Sequence, residues 1–430
     1  MKLKVKKSSF WQIWLVVTIF LSTVQDLKTV DYFGEIARNP IVFLTPLFLL
    51  TELVFLSKKH EKEFNFINLI FLIFIFLLFL SSLGNVSLWL FKEGTFIALG
   101  ENIVVKSLKV ITYYLSFMLL FRHTFFVMRE IGDIKKVSKC FFIVTLLYIP
   151  ILTFELYTIP TSFSEYHASI PPYYRVRLLT AESSWTGSVI VLLITGSLIT
   201  YNNFRKHSVK FFIVIAFTLI YFTFTTSKMF LITVVMVSFI FILLRKKIKI
   251  KLLFISAFIF ILSLFYVIPK VTEHIKSDLQ NYTSVVTRTS SFINSFYVTL
   301  FYPLGTGGLY YAYFVEYVKE PAHLVASITG GRADEVKNWG KQDNGDKNIS
   351  PSSELGQWTI MLGIPGFLLF FYFYLNLLNY SKVNNTLLLG MLYFFITGLL
   401  TETLMTKPNI IIFFALVVFC KVCYKKIITE

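Results

Sequence analysis

Charged residues are scarce in this 430-residue chain, at 15% of positions, and acids (24) are fewer than bases (41). A soluble protein of this length needs a far more polar surface, so a soluble globular fold is excluded. Histidine (6) and cysteine (3) are rarer still. Cys140, Cys420 and Cys423 lie in or beside apolar segments, and none lies in the one long polar stretch. That excludes a disulfide framework. Cys420 and Cys423 have the spacing of a metal-binding pair but lack a second pair and nearby histidines, so packing in the last apolar segment is their expected role. Alternating apolar–polar patterning is missing, which excludes a β-barrel. No internal repeat is visible, which disfavours an inverted-repeat transporter. Lys2, Lys4, Lys6 and Lys7 precede an apolar run from Phe10 to Val24. No small-residue cleavage motif follows, so this run is expected to stay as a first transmembrane helix.

What the chain does have is apolar length. Hydrophobic residues make up 56% of it, Phe alone occurs 48 times, and the mean hydropathy is +0.69. The bilayer is its main solvent, and each crossing needs roughly 20 apolar residues. The expected fold is an all-α polytopic membrane protein of about twelve spans. They are expected near 9–25, 39–57, 65–83, 106–128, 139–158, 183–201, 210–226, 228–244, 251–268, 356–379, 384–403 and 408–424. The net charge of +17 sits in short clusters between apolar runs. This is the positive-inside pattern, not a nucleic-acid surface. Placing the N-terminal lysines inside makes Lys58–Lys62, Arg122–Lys139, Arg205–Lys210, Arg245–Lys251, Lys382 and Lys421–Lys426 cytoplasmic. Both termini are then cytoplasmic. Basic clusters flank both ends of 210–244, so that stretch is expected to be a hairpin rather than one kinked helix.

Three segments fall on the outer side: Thr158–Glu182, the hairpin tip Thr225–Lys228, and Pro269–Glu354. The last divides the chain into N-terminal helices (1–268), a large extracytoplasmic loop (269–354) and C-terminal helices (355–430). Its first half carries aromatics able to form helices against the membrane. Its second half, 330–350, is polar and rich in Gly, Asn and Asp.

Candidate chemistry gathers in these segments. Arg175, Arg177 and Glu182 precede an apolar helix. Arginine forks suit phosphate, and a carboxylate at the membrane edge suits a general base. The competing role is an ion pair tying a loop to a helix start. Two outer arginines run against the positive-inside bias, which favours function. Lys228 at the hairpin tip either binds ligand or snorkels to lipid headgroups. Arg288, followed by Tyr302-Pro-Leu-Gly305-Thr-Gly307-Gly308, offers a cation and glycines that admit close backbone approach. A solvated arginine and an ordinary turn account for the same residues. Glu52 and Glu155 lie in apolar spans, where charge is expensive, and either pair within the bundle or belong to a proton path. Glu402 stands at an outer helix end, able to face the same site as Glu182. His274 and His323 read as surface residues.

The order of these motifs resembles the bacterial O-antigen and capsular polysaccharide polymerase (Wzy) family, relatives of the O-antigen ligases. Arg177 through Gly187 precedes a helix. Thr226-Ser227-Lys228-Met does so too, where the family often has Ser-Arg. Arg288 is followed by Pro303-Leu-Gly305-Thr-Gly307. Ser352 through Gly363-Ile-Pro-Gly366-Phe re-enters the membrane. The ligases usually carry a histidine just before that helix, but this chain reads Ser350-Pro-Ser352-Ser353-Glu354, which favours polymerase.

The resemblance implies a GT-C-like membrane fold in a bacterial cytoplasmic membrane. It implies metal- and cofactor-independent glycosyl transfer between undecaprenyl-pyrophosphate-linked oligosaccharide units, with a chain-length regulator as a possible partner. Glu182 and Arg288 are then expected to be catalytic. Arg175, Arg177, Lys228, Tyr302, Gly305 and Gly307 are expected to bind substrate. The alternatives are a polysaccharide flippase or transporter, and an O-antigen ligase.

Overall fold

A computed structural model describes residues 7–25, 28, 32, 39–55, 60–159, 176–180, 182–201, 209–225, 227–244, 284–330, 333, 336, 351–401 and 407–429. They are almost wholly helical. In chain order the helices are α1 (Lys7–Ser22), α2 (Thr45–Phe55), α3 (Lys62–Glu93), α4 (Ile103–Ile131), α5 (Ile134–Thr158), α6 (Ser183–Leu198) and α7 (Val209–Phe224). They continue as α8 (Lys228–Leu243), α9 (Ser284–Phe301), α10 (Tyr310–Tyr317), α11 (Lys319–Thr329), α12 (Glu354–Ser381), α13 (Asn385–Leu400) and α14 (Pro408–Thr429). The strands Ile97–Ala98 and Glu101–Asn102 close a two-residue hairpin between α3 and α4. Among the described residues, five helices are long and apolar enough to cross a membrane: α3, α4, α5, α12 and the 408–425 part of α14. Six shorter apolar helices accompany them. The chain is thus an all-α protein with the build of a membrane-embedded one. The helix expected at 251–268 lies outside the described residues.

Polar contacts sort the helix ends. At one end Tyr148 donates to Thr23 (2.7 Å) and Asn409 to Ser188 (3.2 Å). At the other, Ser138 donates to the Ser197 carbonyl (2.8 Å), Asn384 to the Ile199 carbonyl (2.7 Å), and Lys425 meets Glu63 (3.0 Å). Successive helices α4 to α8 alternate in direction, as the charge pattern requires. The stretch 210–244 is two helices. Ser227 caps the second, its hydroxyl accepting from the Phe230 N–H.

Two boundaries depart from expectation. The third span was expected to end at 83, where Ser81, Ser82, Gly84 and Asn85 interrupt the apolar run, but α3 continues to Glu93. Ser81, Ser82 and the Asn85 amide nitrogen bond to distant segments, as described below, so they need no helix end. Arg122 was expected in a cytoplasmic segment. It lies inside α4 and pairs with Glu52, Nη2 to Oε2 2.6 Å, with Nε also donating at 2.9 Å. The ion pair makes a mid-helix arginine tolerable in an apolar setting. Its neighbour His123 is fully buried. Trp14 donates to its Nε2 (2.7 Å) and Thr51 lies 2.8 Å from Nδ1. Because Nε2 accepts, Nδ1 carries the proton of a neutral ring.

α12 is two arms joined at Gly363, whose φ of 67° and ψ of −144° are not helical. Trp358 of the first arm lies 5.9 Å from Phe370 and 5.7 Å from Phe373 of the second. In a straight helix Trp358 and Phe370 would stand roughly 18 Å apart. The first arm therefore folds back along the second, and the chain re-enters the bundle there.

Candidate functional site

The first cluster is built on the turn before α6. Leu178 has a positive φ of 49°, which turns two successive N–H groups the same way. Glu155, in the last turn of α5, accepts both: Arg177 N to Oε1 at 2.7 Å and Leu178 N to Oε2 at 2.8 Å. The Arg177 carbonyl accepts from the Thr180 hydroxyl (2.7 Å) and the Thr186 hydroxyl (3.0 Å). Gln25 N donates to the Leu179 carbonyl at 2.8 Å, tying the end of α1 to the same turn. The turn is held from α1, α5 and α6, and Arg177 is only 1% exposed within it.

Glu182 is the N-cap of α6 and is exposed. One turn on, Trp185 carries the Lys407 ammonium 5.7 Å from its ring centre. Lys407 is 1% exposed. Gly187 lets α6, α8 and α13 meet, because a β-carbon there would lie 2.3 Å from the Phe230 ring and 2.7 Å from the Tyr393 hydroxyl. Phe230 is two residues after Lys228, so α8 begins beside the first turns of α6. The structure thus brings together Arg177, Glu182 and the helix start that bears Lys228. Arg175 and Glu402 lie outside the described residues. Sequence reasoning passed over Lys407, Asn409 and Gln25. A lysine before Pro408 reads as an ordinary helix start, and only the fold carries it to Trp185.

The remaining expected residues belong to a second region, around the break in α12. Arg288 is exposed on α9. The Tyr302 ring packs tilted against that of Tyr313, 4.5 Å between centres; burial, then the hydrogen bond to Tyr317, raises its phenol well above the ordinary range. The glycines approach protein backbone. A β-carbon on Gly305 would lie 2.3 Å from the Met361 carbonyl oxygen, and one on Gly307 would lie 2.4 Å from Ser82 N. The segment 303–309 is wedged between α3, α4 and α12, and it satisfies the groups orphaned by the helix break. Ile364 N donates to the Pro303 carbonyl (2.9 Å), while Thr306 N (2.9 Å) and Thr306 Oγ1 (2.8 Å) donate to the Ile360 carbonyl. Ser81 donates to the Met361 carbonyl at 3.2 Å. In return Asn85 holds the Gly305 carbonyl (2.9 Å) and Ser82 accepts from Gly308 N (2.9 Å). The close approach that Gly305 and Gly307 permit is filled by the protein's own helices.

Chemically, the first cluster offers two buried cations, Arg177 in electrostatic reach of the Glu155 carboxylate and Lys407 over the Trp185 indole, with Glu182 exposed at the helix start between their segments. Burial strengthens each charge's pull on a ligand, and guanidinium and ammonium together suit a phosphate or pyrophosphate. Among the described residues, no group of three or more His, Cys, Asp or Glu could hold a metal ion. No family model and no curated protein matches the sequence.

Proposed function

We propose that the protein is a membrane glycosyltransferase that joins undecaprenyl-pyrophosphate-linked oligosaccharide units into an O-antigen or capsular polysaccharide. One observation carries this reading: two cations, each 1% exposed, are tied to the first turn of α6, Arg177 through its carbonyl to Thr186 and Lys407 over the Trp185 ring. Nonlipid-facing charge buried in a bundle is costly and marks a ligand site by default. The donor's pyrophosphate is already a good leaving group, so the enzyme has to hold its charge and receive the acceptor's proton. Arg177, Lys407 and Lys228 are assigned to the pyrophosphate, and exposed Arg288 to the incoming lipid-linked unit. The Arg177 end of the bundle faces outward in this reading, with both termini cytoplasmic and about twelve GT-C-like spans. A flippase needs Glu52 and Glu155 as moving charges. Glu52 is paired with Arg122 at 2.6 Å and Glu155 is tied to two backbone N–H groups, which supports the transferase instead.

The test is the profile of lipid-linked glycans in a deletion strain complemented with wild type, Arg177→Ala or Lys407→Ala. Wild type should restore long polymer. The variants should leave single repeat units accumulated on the outer face. Single units trapped on the inner face of the deletion strain would instead identify a flippase, and unchanged polymer in both variants would remove the two cations from the site.

A further inference from the structure

The strongest unassigned signal is a pair of buried amides. Gln25, just past the end of α1, is 0% exposed. Its backbone N–H is used, donating to the Leu179 carbonyl at 2.8 Å. Among the described residues, neither its Oε1 nor its Nε2 has a hydrogen-bond partner. Asn409, at the start of α14, is also 0% exposed, and its Oδ1 is unmatched among those residues too. Hydrogen-bond direction fixes which atom of Asn409 is left over. Ser188 donates its hydroxyl to the Trp185 carbonyl (2.8 Å), so its oxygen accepts from Asn409, at 3.2 Å. The Asn409 nitrogen therefore faces Ser188, and its oxygen is the unmet group.

Packing brings the two amides to one mouth. α1 packs on α5, α5 on α6, α6 on α14 and α14 on α1, so these four helices close a ring. Glu155, in the last turn of α5, and Gln25 both bond the turn 177–179. That turn is tied to α6 through Thr186, and Asn409 is tied to α6 through Ser188, two residues on. Each amide also stands next to one of the buried cations. Gln25 is held by the turn that carries Arg177, and Asn409 is two residues from Lys407. Packed helices lie roughly 8–10 Å apart, so the ends of α1 and α14 stand within the span of one sugar and its pyrophosphate.

Native interiors match their buried polar groups to protein, to water or to a ligand. Two of the three unmatched atoms here are carbonyl oxygens. They accept hydrogen bonds and cannot pair with a phosphate oxygen, which also accepts. They call for O–H or N–H donors. Gln25, which can both donate and accept, matches sugar hydroxyls, which do both as well. We infer that this mouth binds the sugar attached to the donor's pyrophosphate, and that Gln25 and Asn409 determine its specificity by bonding its hydroxyl or N–H groups. This rests on the glycosyl-transfer reading above and adds a sugar subsite beside the cations assigned to the pyrophosphate.

The experiment uses the full chain in nanodiscs and follows binding by tryptophan fluorescence. Two probes are titrated: lipid-linked repeat units from the deletion strain, and undecaprenyl pyrophosphate without sugar. Gln25→Met and Asn409→Ala should each bind the repeat unit about five- to tenfold more weakly than wild type. Both should bind undecaprenyl pyrophosphate within about twofold of wild type. Lys407→Ala should weaken both probes. The thermal stability of Gln25→Met should equal or exceed that of wild type, because the deleted amide makes no bond in the unliganded fold.

Unchanged affinity for the repeat unit in Gln25→Met would overturn the assignment. So would an equal loss for both probes, or a lowered melting temperature, which would show that the fold itself uses the amide. Gln25→Met decides the matter if Asn409→Ala, which also loses the bond to Ser188, does not fold. Wild-type protein that binds neither probe would instead sink the glycosyl-transfer reading itself.

Discussion

Gly363→Ala tests the re-entrant architecture most directly. Gly363 sits at φ 67°, ψ −144°, a region that side-chain-bearing residues occupy at a cost of about 1–3 kcal/mol. Its missing β-carbon leaves room that the chain uses: the atom would stand 2.0 Å from the Pro303 carbonyl oxygen and 2.6 Å from Gly305 N. Both neighbours are backbone, so relief requires parting segment 303–306 from the break. That loses the bonds from Ile364 N to Pro303 and from Thr306 N and Oγ1 to Ile360, each worth about 1 kcal/mol. The total is about 4–6 kcal/mol, a large share of a typical folding free energy of about 5–15 kcal/mol. Gly330→Ala is the control. Gly330 has the same φ of +67° but nothing within 4 Å of its β-carbon position, so it should lose only about 1–2 kcal/mol. Both variants are unfolded by SDS titration in mixed micelles and followed by tryptophan fluorescence. Equal losses within about 1 kcal/mol would refute the wedge, since strain alone would then explain Gly363.

Further outcomes follow from the charged groups. Glu155→Ala strips the acceptor from the buried Arg177 and Leu178 N–H groups and should cost about 2–4 kcal/mol in the same titration. Glu155→Gln, which keeps one acceptor oxygen, should cost less. Glu52→Ala leaves Arg122 unpaired in an apolar setting and should cost about 3–5 kcal/mol, while Glu52→Leu combined with Arg122→Met should lie close to wild type; a double variant no better than the single would deny the pair. His60, just ahead of α3, is held below its ordinary value first by burial and then by Arg129 and Arg122. The fold thus prefers the neutral ring. That contribution to stability is complete above about pH 6.5 and is lost as pH falls through and below it. A thermal-stability series from about pH 7.5 to 5 should slope less for His60→Gln than for wild type.

The glycines show where sequence reasoning reached its limit. Gly305 and Gly307 are visibly places of close approach, since only a missing side chain permits it. What approaches is a non-local fact: Met361 and Ser82 are far away in the chain. The same holds for Ser81, Ser82 and Asn85. In sequence they resemble a helix end, whereas in the fold they hold Gly305 and Gly308. Glu155 was legible as a buried acid in need of a partner. That its partner is a pair of backbone N–H groups, turned together by Leu178, required the turn itself.

Apolar run lengths and basic clusters by themselves determined the helical class, the alternation of helix ends and the hairpin at 210–244. A chain that meets hydrocarbon must satisfy its backbone within each helix, and the charges between helices cannot follow it there. Only tertiary structure decided which charges are buried together. Arg177, Lys407 and Glu155 come from three separate stretches, and Glu354 lies inside the bundle because α12 breaks at Gly363 and folds back. Sequence spacing reports what lies within one helix, whereas a site at the meeting of several helices is set by packing between segments that the chain separates.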